Sequence, residues 1–243
     1  MQSSVKPPPA TGRTSRAHDP GASRPLLPAS ARPDRKADIL LAAEKLFAQH
    51  GYHAVSIRQI ADEAGVPLAL VGYYYGLKHE LFYAIFEHWS PTIEERLQAL
   101  RTVTGDPLDV HTLRRIIDAF VGPVLRMRAS PEGEYYALLI ARELYISRPE
   151  TDRVLRDFFD PLAHAFIDAL HLALPHATRG QVAWGYQFAL GTLLHHISDH
   201  RVDRLSEGES LQGDPAASGL LTNFIVGGLR AALPVPDVFP PTL

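Results

Sequence analysis

The side chains with the most obvious chemical potential sit near the end of the chain, in "HHISDH" at residues 195–200. On a helix, His196 and His200 would lie four residues apart, as would His195 and Asp199. Two histidines at that spacing can share a zinc ion. A third and fourth ligand are not evident, so no metal site is expected. The alternative is a polar helix end with some histidines, His195 among them, lining a pocket or a dimer seam. A second group is Tyr135, Tyr136, Arg142, Glu143 and Tyr145 on one predicted helix. Tyr135, Arg142 and Tyr145 could anchor a ligand in an apolar cavity. The same residues could equally decorate an amphipathic helix, with an Arg–Glu pair near its end. Trp184, Tyr186, Gln187 and Phe188 raise the same choice on a later helix. There is no G-x-S-x-G, no phosphate-binding glycine loop and no cysteine. No catalytic constellation stands out, so an enzyme is not expected, and no cofactor is implied.

These groups need elements to hold them. The chain has 243 residues, 46% hydrophobic and 21% charged, enough for one or two small domains with a core. No run approaches the roughly 18 unbroken apolar residues of a membrane span. The absence of cysteine rules out disulfides and fits a reducing, cytoplasmic location. A net charge of −3 means that any nucleic-acid binding must come from a local patch.

Residues 1–33 are rich in proline, serine and arginine and lack apolar periodicity, so a disordered basic arm is expected there. Arg and Ser with little acid also resemble an organelle transit peptide. No apolar core of a secretory signal is present. From residue 34 the period is helical. Ile39, Ala43, Leu46 and Phe47 share one face, and Gly51 supplies a stop. Ser56 can cap a short helix with Ile57, Ile60, Ala61 and Ala64 inside. Gly65 ends it, and a third helix begins near Pro67. A long stripe follows from Lys78, where Pro91 should kink or interrupt the helix. Further helices are expected at about 109–129, 133–147, 151–173, 178–201 and 216–233. No strand pattern competes, so the fold class is all-α.

Two short helices joined by a glycine turn, "SIRQIADEAGVPLALVGYYYG", have helix-turn-helix length and spacing. Ile60 and Ala61 should pack the first onto the second through Val66 and Val71. With "ILLAAEKLFAQHGYHAVSIRQIADEAGV" before it and "YYYGLKHELF" after it, Arg35 to about Trp89 resembles the DNA-binding domain of TetR-family transcriptional regulators. The later helices are similar to that family's effector-binding and dimerisation region. "WGYQFALGTLLHHISDHRVDRLS" is similar to a C-terminal helix of one subgroup.

The resemblance implies an N-terminal DNA-binding domain at 34–90 and a helical effector and dimer domain at 91–235. It implies phosphate contacts from Tyr73, Tyr74 and Lys78, with Tyr75 in the core. Ser56 and Arg58 match positions that meet DNA backbone and base edges, and Arg suits a bidentate pair with guanine. Pro67, Leu68 and Leu70 complete the expected DNA-facing set. The two leucines cannot donate to bases but can touch thymine methyls, which leaves Arg58 as the main polar reader. Gly72 stands where relatives carry tyrosine more often and weakens its short helix. Residues 35–89 are not basic on balance, so attraction to DNA should lean on the N-terminal arm. Small residues at Ala183, Gly185, Ala189, Gly191, Gly227 and Gly228 would let the last two long helices approach a second copy or each other. The expectation is a homodimeric repressor of a palindromic operator, released by a small apolar effector. The alternatives are a helical metal- or lipid-binding protein without DNA binding, and a regulator that has lost it.

Overall fold

A computed structural model describes residues 34–131, 133–143, 149–214 and 216–233. The expected basic arm at 1–33, and Tyr145, lie outside the described residues. Those described form helices and connecting turns, with no strand. The first four are α1 (Arg35–His50), α2 (Ile57–Glu63), α3 (Leu68–Tyr75) and α4 (Lys78–Arg101). There follow α5 (Val110–Ala129), α6 (Glu134–Glu143) and α7 (Pro149–Val154). A π-helical turn at Leu155–Phe159 leads into α8 (Asp160–Ala173), and then come α9 (Arg179–Ser198), α10 (Val202–Leu205) and α11 (Ala216–Ala232).

Local chemistry sets several of the helix starts. The Asp34 carboxylate accepts from the backbone N–H groups of Lys36 and Ala37, both at 3.1 Å. Ser56 and Gln59 form a reciprocal capping box at α2, and Thr178 and Gln181 do the same at α9. Gly51, Gly65 and Gly76 have φ of 83°, 62° and 68°, the left-handed region where the three stops of the N-terminal helices fall.

Three expectations change. Helix α4 runs through Pro91 without interruption. Proline removes the N–H that would have served the Glu87 carbonyl, and the Ser90 hydroxyl donates to that carbonyl instead, at 2.8 Å. The single helix expected at 151–173 is divided by the π turn, a type of irregularity found often at functional sites. The helix expected to reach 201 stops at Ser198, where Asp199 turns extended. His200 therefore leaves the helical register that would have paired it with His196.

The hydrophobic interior has two centres. One gathers α5, α8, α9 and α11 around Phe120, Phe166 and Leu193. The other gathers α1–α4 around Phe47, Ile60, Val71 and Phe82, and it also takes in Tyr136, Leu139 and Val154 from beyond residue 90. Helix α6 lies along α1 and completes that second centre.

Glu44 of α1 is buried there, 2% exposed. Its carboxylate accepts from Trp89 Nε1 at 2.7 Å and from the Tyr136 backbone N–H. Burial outweighs those bonds and pushes its pKa from an ordinary 4.5 up to about 7. The folded state thus holds this proton to higher pH than the unfolded chain. Its contribution is fully present below about pH 4.5 and lost as pH rises through about 7. Glu44→Gln, which keeps an acceptor for Trp89, should flatten that loss. Melting temperature followed from pH 5 to 8 should fall less in the variant than in the parent protein; equal slopes would contradict the assignment.

Candidate nucleic-acid interface and effector cavity

Helices α2 and α3 are short, and only their inner faces are anchored. Ile60, Ala61, Val66 and Val71 are buried, as the sequence pattern requires. The third tyrosine of the run adds a polar tie. Tyr75 is half-buried, and its hydroxyl donates to the Lys36 carbonyl at 2.8 Å. Burial raises the Tyr75 pKa to about 12, which keeps the donor proton in place. The end of α3 is thereby pinned to the start of α1.

The outer face carries Pro67, Leu68, Ala69, Gly72, Tyr73 and Tyr74, all exposed. Tyr73 is the most open at 79%, and its ring meets Tyr74 edge-on at 5.1 Å. Neither hydroxyl is bonded to another described residue. Leu70 is half-buried and packs toward the core, so Leu68 is the leucine that faces outward. Arg58 is exposed and makes no hydrogen bond or ion pair among the described residues. The Ser56 hydroxyl is occupied by its cap.

Other cations of this region are engaged. Lys45 pairs with Glu63 at 2.5 Å, and Arg35 donates to the Gly65 carbonyl at 3.2 Å. Lys78 is half-buried, with its ammonium 4.3 Å from the Tyr52 ring centroid. Desolvation there lowers the Lys78 pKa, partly offset by Glu150.

Deeper in the bundle is a cavity of about 210 Å³. Its walls come from α4, α5, α6, α9 and the π turn, and include Arg96, Tyr136, Ile140, Phe159, Tyr186 and Gln187. Of the residues expected to bind a ligand, Gln187 lines it. Tyr135 and Arg142 do not. Helical rotation puts Tyr136 inside and Tyr135 against α1. Arg142 donates to the carbonyls of Gln49 and His50, at 3.1 and 3.2 Å, and so caps the C-terminus of α1. The neighbouring Glu143 carboxylate accepts from the Tyr52 N–H at 3.4 Å.

Trp184 also points away from the cavity. It is 66% exposed and stacks on Phe188 at 5.9 Å. With Leu220 and Phe224 of α11, it makes an uncovered apolar face. Gly185 lets α11 side chains pack close to α9, since a Cβ there would lie 2.7 Å from Leu229 Cδ2. Gly191, Gly227 and Gly228 face open space. His195 is exposed and lies 3.2 Å from Asp199, whose carboxylate is held well below the usual range by bonds from Arg201. His200 faces Gln212 instead. Among the described residues, no cluster of three or more His, Asp or Glu could hold a metal ion.

Comparison with known proteins bears on both regions. The family model described as "Bacterial regulatory proteins, tetR family" matches residues 39–85. A second, "Tetracyclin repressor-like, C-terminal domain", matches residues 118–228. Together the two stretches take in more than half of the chain. The chain belongs to the TetR family.

Among its relatives is the HTH-type transcriptional activator FasR of Mycolicibacterium smegmatis, 29% identical over 120 residues, 49% of this chain and 51% of FasR. The HTH-type transcriptional regulator BetI of Vibrio campbellii is 37% identical over 95 residues, 36% of this chain and 45% of BetI. The chain thus matches about half, or less, of the length of these relatives. The solved fatty acid degradation regulator FadR from Bacillus halodurans aligns with a TM-score of 0.56 at 17% identity, over 83% of this chain and 99% of that one. A TetR-like regulator from Rhodococcus aligns at 0.55 with 23% identity, over 82% and 98%. At such identities these two likenesses speak to the fold.

The TetR-type motif was legible in the sequence because its spacing is tight. Tyr136 belonged to the tyrosine cluster read as a candidate pocket, though not to its named anchors, and Arg96 was not singled out. A signal for Arg96 did exist: it lies three residues after Ile93, on the inner stripe of α4, where an apolar residue belongs.

Gly72 offers a direct test of how marginal α3 is. A Cβ there meets nothing within 4 Å, and the backbone is ordinary helix. Gly72→Ala should stabilise the protein by about 0.5–1 kcal/mol. The readout is the urea midpoint, and no increase would mean that α3 is strained in a way its neighbours do not reveal.

Proposed function

We propose that this TetR-family protein is a ligand-responsive transcriptional regulator, acting as a homodimeric repressor on a palindromic operator. The observation that carries the reading is the α2–α3 motif, pinned through Val71 and Tyr75, with Arg58, Tyr73 and Tyr74 left uncovered. Tyrosine hydroxyls can donate to phosphate oxygens and fix register without reading sequence. Arg58 and the outward Leu68 are the proposed readers of base edges and thymine methyls. Lys78 contributes as a phosphate contact once its ammonium swings off Tyr52.

The second copy would cover Trp184, Phe188, Leu220 and Phe224. An isologous contact of α9 and α11 gives two-fold symmetry, and hence half-sites roughly one helical turn apart or a little more. A domain division near residue 90 suits this scheme, with α4 carrying movement between cavity and DNA. Repression is the sense proposed, because a dimer seated over a promoter excludes polymerase without a further contact. The M. smegmatis relative is described as an activator, so a reporter assay is needed to fix the sign.

An effector in the cavity would touch Tyr136, whose ring stacks on Trp89 at 5.0 Å and 9°. Trp89 is bonded to Glu44 of α1. A ligand that favours one arrangement of this stack shifts the spacing of the two recognition helices by its differential affinity alone.

Selection of random duplex DNA on the purified protein should return a palindrome. The double variant Tyr73→Phe and Lys78→Ala should lose operator affinity while remaining dimeric by light scattering; full retained affinity would remove these residues from the interface. Since Lys45 and Arg35 are already engaged, deleting residues 1–33 should weaken binding and flatten its dependence on salt. An unchanged salt slope would show that the arm takes no part.

A further inference from the structure

Arg96 lines the cavity without an ion-pair partner among the described residues. Arg96 is 9% exposed, and its Nε and Nη2 atoms are buried with no hydrogen-bond partner among the described residues. Its guanidinium lies 5.0 Å from the Phe120 ring centroid and 5.9 Å from that of Phe166. Those rings supply cation–π contact but no hydrogen-bond acceptor for Nε and Nη2. The Tyr136 hydroxyl, in the same cavity, is also buried and has no hydrogen-bond partner among the described residues. Asp160 is the carboxylate in the lining; it is exposed and makes no ion pair with Arg96 among the described residues.

A buried, unpaired guanidinium is among the most costly arrangements in a protein interior. Arginine cannot relieve the cost by giving up its proton. An apolar residue of similar volume would serve packing better. The feature makes sense if something else supplies the negative charge.

We infer that the cavity takes an apolar monoanion with a carboxylate head, seated on Arg96 and Tyr136. This rests on reading the cavity as the effector site. The guanidinium edge presents parallel N–H donors matched to the two oxygens of a carboxylate. The Tyr136 O–H supplies a further donor. One arginine balances one charge, which disfavours a phosphate dianion. The body of the ligand would lie against Ile140, Leu190 and Phe159. A cavity of about 210 Å³ calls for a compact occupant.

The test is calorimetric titration of the full-length protein with straight-chain carboxylates from hexanoate to dodecanoate, against the matching primary alcohols. At least one carboxylate should bind tenfold or more tighter than its alcohol. Arg96→Met should abolish that preference while leaving alcohol binding unchanged, and should not lower the melting temperature of the ligand-free protein. If Arg96→Met does not fold, Tyr136→Phe serves, reducing carboxylate affinity and sparing the alcohol. Equal binding of the two series, or no binding of either, overturns the inference. An operator-release assay separates it from the effector reading. A carboxylate that binds through Arg96 without releasing DNA upholds the inference and removes the effector role. Release driven equally by alcohol and acid does the reverse.

Discussion

Tyr136 has no exposed surface, and it belongs to two parts of the molecule at once. Its hydroxyl is buried within the cavity lining. Its ring lies flat on Trp89 and edge-on to Phe86 at 5.8 Å, inside the core that α1–α4 share. Its backbone N–H reaches the Glu44 carboxylate of α1. A tightly packed ring cannot be displaced by a fraction of an ångström without moving what it touches. The packing of the α1–α4 core and the shape of the cavity therefore share one side chain.

The rest of α6 strengthens that constraint. Arg142 caps the C-terminus of α1, and Glu143 holds the N–H of Tyr52, the ring on which Lys78 rests. The π turn brings a second wall into the same relation. Leu155 and Phe159 line the cavity, while Phe158 and Phe159 pack on Phe86. Tyr83 of α4 donates to Asp157 of that turn at 2.9 Å. Two walls of the cavity are thus continuous with the packing around α4, by direct contact rather than through the chain. Contiguity is a spatial warrant for coupling, and its size is a question for double-mutant cycles.

The sequence disclosed some of this and hid the rest for physical reasons. Helical period and capping residues are local, so α1, α2, α5 and α11 could be read within a residue or two. The helix-turn-helix was legible for the same reason, with Ile60, Val66 and Val71 at fixed spacing. Which face of α6 looks inward depends on what packs against it, and nothing near Tyr135 and Tyr136 separates the two. Arg142 looked like a ligand anchor because charge beside aromatics has that appearance; its partners, the carbonyls of Gln49 and His50, are some ninety residues away in the chain. Trp184 and Phe188 looked like core or pocket, and only the tertiary fold shows that both stand exposed among the described residues. Pro91 should have broken α4 by the local rule, and Ser90, one residue earlier, supplied the exception.

The distribution of charge gives the molecule an unusual polarity for a DNA-facing protein. On the outside, Lys45 is neutralised, Arg35 is tied to a backbone carbonyl and Lys78 is folded onto a ring. The outer face of α3 is apolar and aromatic. On the inside, Arg96 has neither a counter-ion nor, at two of its nitrogens, a hydrogen bond among the described residues. Affinity for DNA generally comes from cations on phosphates, and specificity from contacts to base edges. On the proposed reading, a face this poor in free cations among the described residues discriminates through Arg58 and methyl contacts while holding DNA weakly by itself. Weak intrinsic attraction has a consequence for regulation. The smaller the free energy that holds the protein on its operator, the smaller the differential affinity an effector needs to remove it. An uncompensated charge in the cavity is a large source of such differential affinity, because only a ligand of opposite charge can satisfy it.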